Sequence, residues 1–180
     1  MSELLWLALI MVLFCGGCGI SPPPLKTVEK VDLPRFMGDW YVIANIPTFI
    51  EKGAHNAVES YRLDEDGTIA TTFTFRQGGF DGPTKTYNPR GFVRDRASNA
   101  VWGMQFIWPF KAEYLIIYLN KDYTQTVIGR TKRDYLWIMA RTPEISEEDY
   151  SRLLADLAAQ GYDVSKIRKV PQFWPERREP

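Results

Sequence analysis

The sequence predicts an all-β protein: an eight-stranded antiparallel up-and-down barrel with one C-terminal α-helix packed on the outside. Three observations carry this. From residue 38 to 141 the chain alternates with period two in short runs bounded by turn residues, with no helical interruption. Eight such runs are long enough to close on one another, which removes the edges that an open sheet would leave exposed. Helical periodicity with a cap at each end appears only afterwards, from Ser146 to Gly161.

The N-terminus is set apart from the fold. Leu4 to Phe14 is an apolar run of eleven residues, too short to span a bilayer and of the length of a signal-peptide core. Cys15-Gly16-Gly17-Cys18 follows, and two glycines directly before a cysteine resemble the bacterial lipobox. Cys18 is therefore the expected lipidation site, with residues 1–17 as signal peptide. Residues 18–33, which include Ser21-Pro22-Pro23-Pro24, form a stiff tether. Acyl chains such as palmitate on Cys18 would hold the protein to a membrane.

Residues 34–180 form one domain. It contains no cysteine, so neither a disulfide nor a cysteine-based metal site is expected. Lys plus Arg and Asp plus Glu each number 22 in the whole chain, and this balance leaves no field for nucleic acid to follow.

Candidate strands are 39–46, 57–63, 68–75, 85–93, 100–107, 112–119, 125–131 and 135–141. Asp64-Glu65-Asp66-Gly67, the Gly78–Pro83 segment, Asp95–Asn99 and Lys132-Arg133-Asp134 separate several of them with turn chemistry. Ser146 caps a helix that carries Glu147, Glu148 and Asp149 in its first turn. Tyr150, Leu153, Leu154, Leu157 and Ala158 form its apolar stripe, and Gly161 is placed to end it. Loops 48–56, 76–84, 108–111 and 132–134 fall at one end of such a barrel. Loops 64–67, 94–99 and 120–124 fall at the other, with Trp40 and Arg141.

Gly38-Asp39-Trp40 opening the first strand, Arg141 closing the last, and Asn120-Lys121-Asp122-Tyr123 at the same end resemble the motifs of the lipocalin family. The resemblance covers 34–175 and is nearest to the bacterial outer-membrane lipoprotein lipocalins. It implies a cup whose closed base holds Gly38, Trp40, Asp122 and Arg141 as structural residues, with the guanidinium stacked on the indole. It also implies an envelope location: with Gly19 after Cys18, the family's sorting pattern suggests the outer membrane, facing the periplasm.

Family alignment turns Trp40 inward, so alternation sends Val42 and Ala44 in and Tyr41 and Ile43 out. Extended to the other strands, the interior receives Tyr61, Ile69, Thr71, Phe73, Trp102, Met104, Phe106, Tyr114, Ile116, Tyr118, Val127, Gly129, Tyr135, Trp137 and Met139. Glu59 is the odd inward member, costly in an apolar cup unless paired. Strand 85–93 breaks alternation at Pro89 and Gly91 and is left unassigned. The expected ligand-binding residues are Val42, Ala44, Glu59, Tyr61, Thr71, Phe73, Met104, Phe106, Tyr114, Ile116, Gly129, Tyr135 and Trp137. Around the mouth, Lys52, Arg76, Lys85, Lys111, Lys132 and Arg133 outnumber the acids, among Phe49, Phe80, Trp108 and Phe110.

No nucleophile, phosphate-loop or zinc-protease motif is present, and His55 reads as a solvated loop residue. These features together point to a non-enzymatic protein without cofactor, which binds, stores or transports a small amphiphilic lipid (a fatty acid or lysophospholipid) with its head at the basic mouth. The alternatives are an enzyme on the same scaffold using Glu59 or a tyrosine, and an envelope protein whose aromatic rim contacts a partner.

Overall fold

The computed structural model describes residues 24–175; the expected signal peptide and Cys18 lie outside the described residues. The strands run β1 Gly38–Ile46, β2 Ala54–Leu63, β3 Thr68–Gln77, β4 Thr84–Tyr87, β5 Arg90–Val93, β6 Val101–Ile107, β7 Phe110–Leu119, β8 Gln125–Gly129 and β9 Leu136–Ala140. Consecutive strands pair antiparallel, except β4 and β5, and β1 pairs with β9 to close the barrel. The expected strand 85–93 is one barrel strand in two pieces. Pro89 has no N–H to give the ladder, so β4 pairs with β3 alone while β5 bridges β3 and β6.

Helix α2, Glu147–Ala159, begins and ends as the sequence requires. The Ser146 hydroxyl accepts from the Asp149 N–H. At the other end Gly161 takes φ +86°, and the N–H groups of Tyr162 and Gly161 bond to the Leu157 and Ala158 carbonyls. Its stripe packs Leu153 and Leu157 onto the outer wall with Ile43, Leu115, Ile117, Val127, Leu136 and Ile138. A short helix α1, Leu33–Phe36, was not signalled by periodicity; Asp32 caps it with Pro34 in the first turn, and it places Phe36 under the barrel. After α2, β10 Arg168–Lys169 adds to β1. Gln172 then donates to the carbonyls of both Val42 and Ala57, bridging β1 and β2. In the expected tether, Leu25 and Val31 are buried against the domain.

Alternation is shifted where strands bulge. The β1–β9 register slips between Val42 and Ala44, so Ala44 pairs with Ile138 on the outer wall and the inward position passes to Asn45, opposite Trp137. A second slip between Ile116 and Tyr118 turns Tyr118 outward, into the layer under α2. Strand β8 has the parity opposite to the expected one: Ile128 faces the interior, whereas Val127 and Gly129 face out. A Cβ on Gly129 would stand 2.4 Å from the Tyr162 hydroxyl, so this glycine makes room for the outer layer and none inside. Ala44 and Gly129 are thereby corrected: neither can touch a molecule in the barrel.

Candidate functional site

The closed end is a solid plug. Phe36, Trp40, Tyr61, Trp102 and Tyr114 interlock, with centroid separations from 5.1 Å for Phe36–Trp40 and for the stacked Trp102–Tyr114 pair to 6.4 Å for Tyr61–Tyr114. Both buried indoles are satisfied: Trp40 Nε1 donates to the Phe36 carbonyl at 2.8 Å and Trp102 Nε1 to the Asn99 carbonyl at 2.7 Å. The Arg141 guanidinium lies 3.8 Å from the Trp40 ring centroid and donates to the carbonyls of Arg35, Phe36, Met37, Asp39 and Tyr123. Gly38 sits beside it at φ +93°, with Arg141 Nη1 where a Cβ would crowd. Asp122 is exposed in the base turn, and Tyr123 makes the contacts there. Its hydroxyl accepts from the Asp32 N–H, and Arg35 stacks on its ring.

Above the plug the barrel is hollow. A cavity of about 420 Å³ opens at the other end, where the β1–β2, β3–β4, β6–β7 and β8–β9 connections gather. Of the residues expected to meet a ligand, Glu59, Thr71, Phe73, Met104, Phe106, Tyr114, Tyr135 and Trp137 line it. Val42, Tyr61 and Ile116 belong to the packed interior below. Trp102 also faces in, but from within the plug, so Trp137 is the tryptophan of the cavity wall. The interrupted strand contributes Tyr87, Asn88 and Pro89, which alternation could not assign.

Glu51 is a lining residue the sequence reading missed. Its carboxylate accepts from the Thr48 N–H (2.8 Å), the Thr48 hydroxyl (2.6 Å) and Trp137 Nε1 (2.6 Å), folding the β1–β2 loop into the mouth. The spacing Thr48-x-x-Glu51 is that of a capping box, and it was the available signal. Glu113 likewise lines the cavity, accepting from the Thr131 N–H and hydroxyl.

At the floor Glu59 stands opposite Trp40 on one side and Phe73 on the other. The Tyr61 hydroxyl donates to its carboxylate, and the Tyr61 and Tyr114 hydroxyls are 2.7 Å apart. Burial pushes the Glu59 carboxyl up to about 7; the Tyr61 hydrogen bond opposes the rise, and the Glu51 charge adds to it. Burial first, and then the Glu59 charge, hold both tyrosines well above their ordinary range.

The expected basic mouth does not face the cavity. Lys111 lies over the Phe92 ring at 3.4 Å, Arg76 donates to the Gly82 carbonyl, and Arg133 donates to the Gln160 carbonyl behind α2. The lining cation is Arg130, 3.5 Å from Asp134. His55 lies on β2, with its ring 5.0 Å from Phe80, away from the cavity.

Residues 31–172 match the family model described as a lipocalin-like domain. The chain belongs to the lipocalins. It is 33% identical over 154 residues to temperature-induced lipocalin-1 of Arabidopsis thaliana, covering 82% of this chain and 83% of that one. It is 30% identical over 168 residues to the outer membrane lipoprotein Blc of Escherichia coli K12, covering 87% and 89%. Among solved structures, insecticyanin from the tobacco hornworm Manduca sexta has the same fold, with a TM-score of 0.67 and 15% identity over 86% of each chain. The lipocalin barrel and its open cavity support binding or transport of a small hydrophobic ligand.

Proposed function

We propose that this lipocalin binds, stores or carries a single-chain amphiphilic lipid at the cell envelope, fatty acids and lysophospholipids being the class in view, without chemical change to the lipid. The observation that carries the reading is the hollow upper half of the barrel, walled by Phe73, Met104, Phe106, Tyr135 and Trp137 over a sealed base. If each methylene takes the ~30 Å³ that a water occupies in the liquid, the cavity holds on the order of a dozen. At ~0.8 kcal/mol each they supply about 10 kcal/mol before ordering costs, enough for binding without covalent chemistry. Among the described residues, the Glu59–Tyr61–Tyr114 cluster has no second carboxylate within hydrogen-bond distance and no bonded histidine, which favours binding over acid–base catalysis.

Titrating the purified chain with a sixteen-carbon lysophospholipid is expected to change Trp137 fluorescence saturably, at one lipid per protein. An unchanged spectrum would favour the partner-binding alternative.

Anchoring through Cys18 is part of the proposal, supported by Gly16-Gly17-Cys18 and by a relative described as an outer membrane lipoprotein. Cys18→Ser is expected to move the protein out of the membrane fraction, whereas Cys15→Ser leaves it there. A Cys18→Ser chain that still sediments with membranes would contradict the anchor.

A further inference from the structure

The floor of the cavity is polar, with Glu59, Thr71 and Tyr114; higher on the wall stand Glu51, Glu113 and Arg130, and the loop tips at the open end expose Phe49 and Trp108 (82% each) and Phe110 (76%). The carboxylates of the wall differ in how far they are satisfied. Both oxygens of Glu51 and both of Glu113 accept hydrogen bonds. Glu59 accepts only from Tyr61, through Oε2, so among the described residues nothing donates to Oε1.

With Glu59 ionised, the protons of the cluster are also fully committed. The Tyr61 hydroxyl gives its proton to Glu59, so the short Tyr61–Tyr114 contact requires Tyr114 to donate to Tyr61. What remains open at the floor is acceptor capacity: Glu59 Oε1 and a Tyr114 lone pair. Arg130, the cation of the wall, stands away from this cluster, with Nη1 3.5 Å from Asp134 and its buried Nε without a hydrogen-bond partner among the described residues.

We infer that Glu59 Oε1 and the Tyr114 hydroxyl form a floor subsite for the ligand's polar end, taking an O–H or N–H donor of no net negative charge, so that the lipid enters head first. This rests on the lipid-binding reading above and specifies the head within that class. An ammonium or hydroxyl supplies the missing donor, and an ammonium also compensates the carboxylates Glu51, Glu59 and Glu113. An ionised carboxylate supplies no proton and adds a like charge. A fatty acid would fit as its neutral acid. The alkyl chain then runs upward between Phe73, Met104 and Trp137 and ends beneath the exposed mouth aromatics.

The test compares three sixteen-carbon probes, hexadecylamine, hexadecanol and palmitate, titrated into the full chain at pH 8 and followed by Trp137 fluorescence. The amine is expected to bind roughly tenfold to a hundredfold tighter than palmitate, with the alcohol between, as for a gained or lost hydrogen bond to a charged group. In Glu59→Gln the amine is expected to lose that advantage. Palmitate binding as tightly as the amine, or an unchanged ranking in Glu59→Gln, would overturn the inference while leaving the cavity reading intact. No binding by any probe would overturn both.

If Glu59→Gln does not fold, the native chain carries the test. Amine affinity is expected to rise as pH climbs through about 7 and the carboxylate forms; a flat profile would overturn the inference. The other titratable or charged groups around the cavity are Tyr61 on the same strand, Glu51 from the β1–β2 loop and Tyr87 from β4. Glu113 and Tyr114 stand on β7, with Arg130 and Tyr135 from the β8–β9 connection.

Discussion

Arg141→Ala is expected to lower the melting temperature by roughly 10 °C, through a loss of about 3 kcal/mol, while molecules that remain folded keep their ligand affinity. One guanidinium joins carbonyls from α1, the start of β1 and the β7–β8 turn, and covers the Trp40 ring. Alanine leaves those carbonyls to water, where they are accessible, and to nothing where they are not. Lysine could make only part of this array, because its ammonium has no planar fork to span the carbonyls. Calorimetry of the variant beside a lipid titration separates stability from binding. Lost affinity at unchanged stability would move the site to the base, contrary to the geometry.

Glu59→Gln is expected to change how stability depends on pH. The Glu59 carboxyl is raised from 4.5 to about 7 in the folded chain, so between those values the folded state holds a proton that the unfolded state has released. The contribution to stability is fully present below about pH 4.5 and is lost as pH rises through 7. Above pH 7 the buried carboxylate of the empty barrel costs about 3 kcal/mol relative to its neutral form. Glutamine keeps the shape and an acceptor for Tyr61 but does not ionise. Urea unfolding of both proteins at pH 5 and pH 8 measures the difference: the native chain is expected to weaken over this interval relative to the variant. Equal changes in the two would mean that Glu59 is solvated or compensated, in conflict with its burial.

The base of the barrel was largely legible because its signals are residue types at fixed places. Only glycine suits the φ at position 38, only a large indole fills the floor at 40, and an arginine at 141 reaches both. The capped ends of α2 were readable for the same reason. The interior was harder, since period-two reading assumes that one face is polar. On β8 and β9 both faces are apolar, because α2 and Leu25 cover the outside; Val127 and Ile128 therefore look alike, and the parity of β8 came out reversed.

Bulges at Ile43 and Ile117 then moved Ala44 and Tyr118 outward, and nothing local in the sequence announces either. The mouth was misread for a different reason. Cations counted along loops say how many charges are present but not which way they point, and Lys111, Arg76 and Arg133 all find partners away from the cavity. Glu59 was found because Tyr61 and Phe73 lie on well-behaved stretches of β2 and β3, where alternation holds.

The central claim is that the upper barrel holds one lipid. Native mass spectrometry of protein extracted from its own membrane tests it most directly, with the wild type run beside Ala112→Trp, which places an indole into the 420 Å³ cavity from β7. The wild type is expected to carry one non-covalent single-chain lipid per polypeptide, and the filled variant none. A wild type that is always bare, or a variant that retains the same lipid, would contradict the claim.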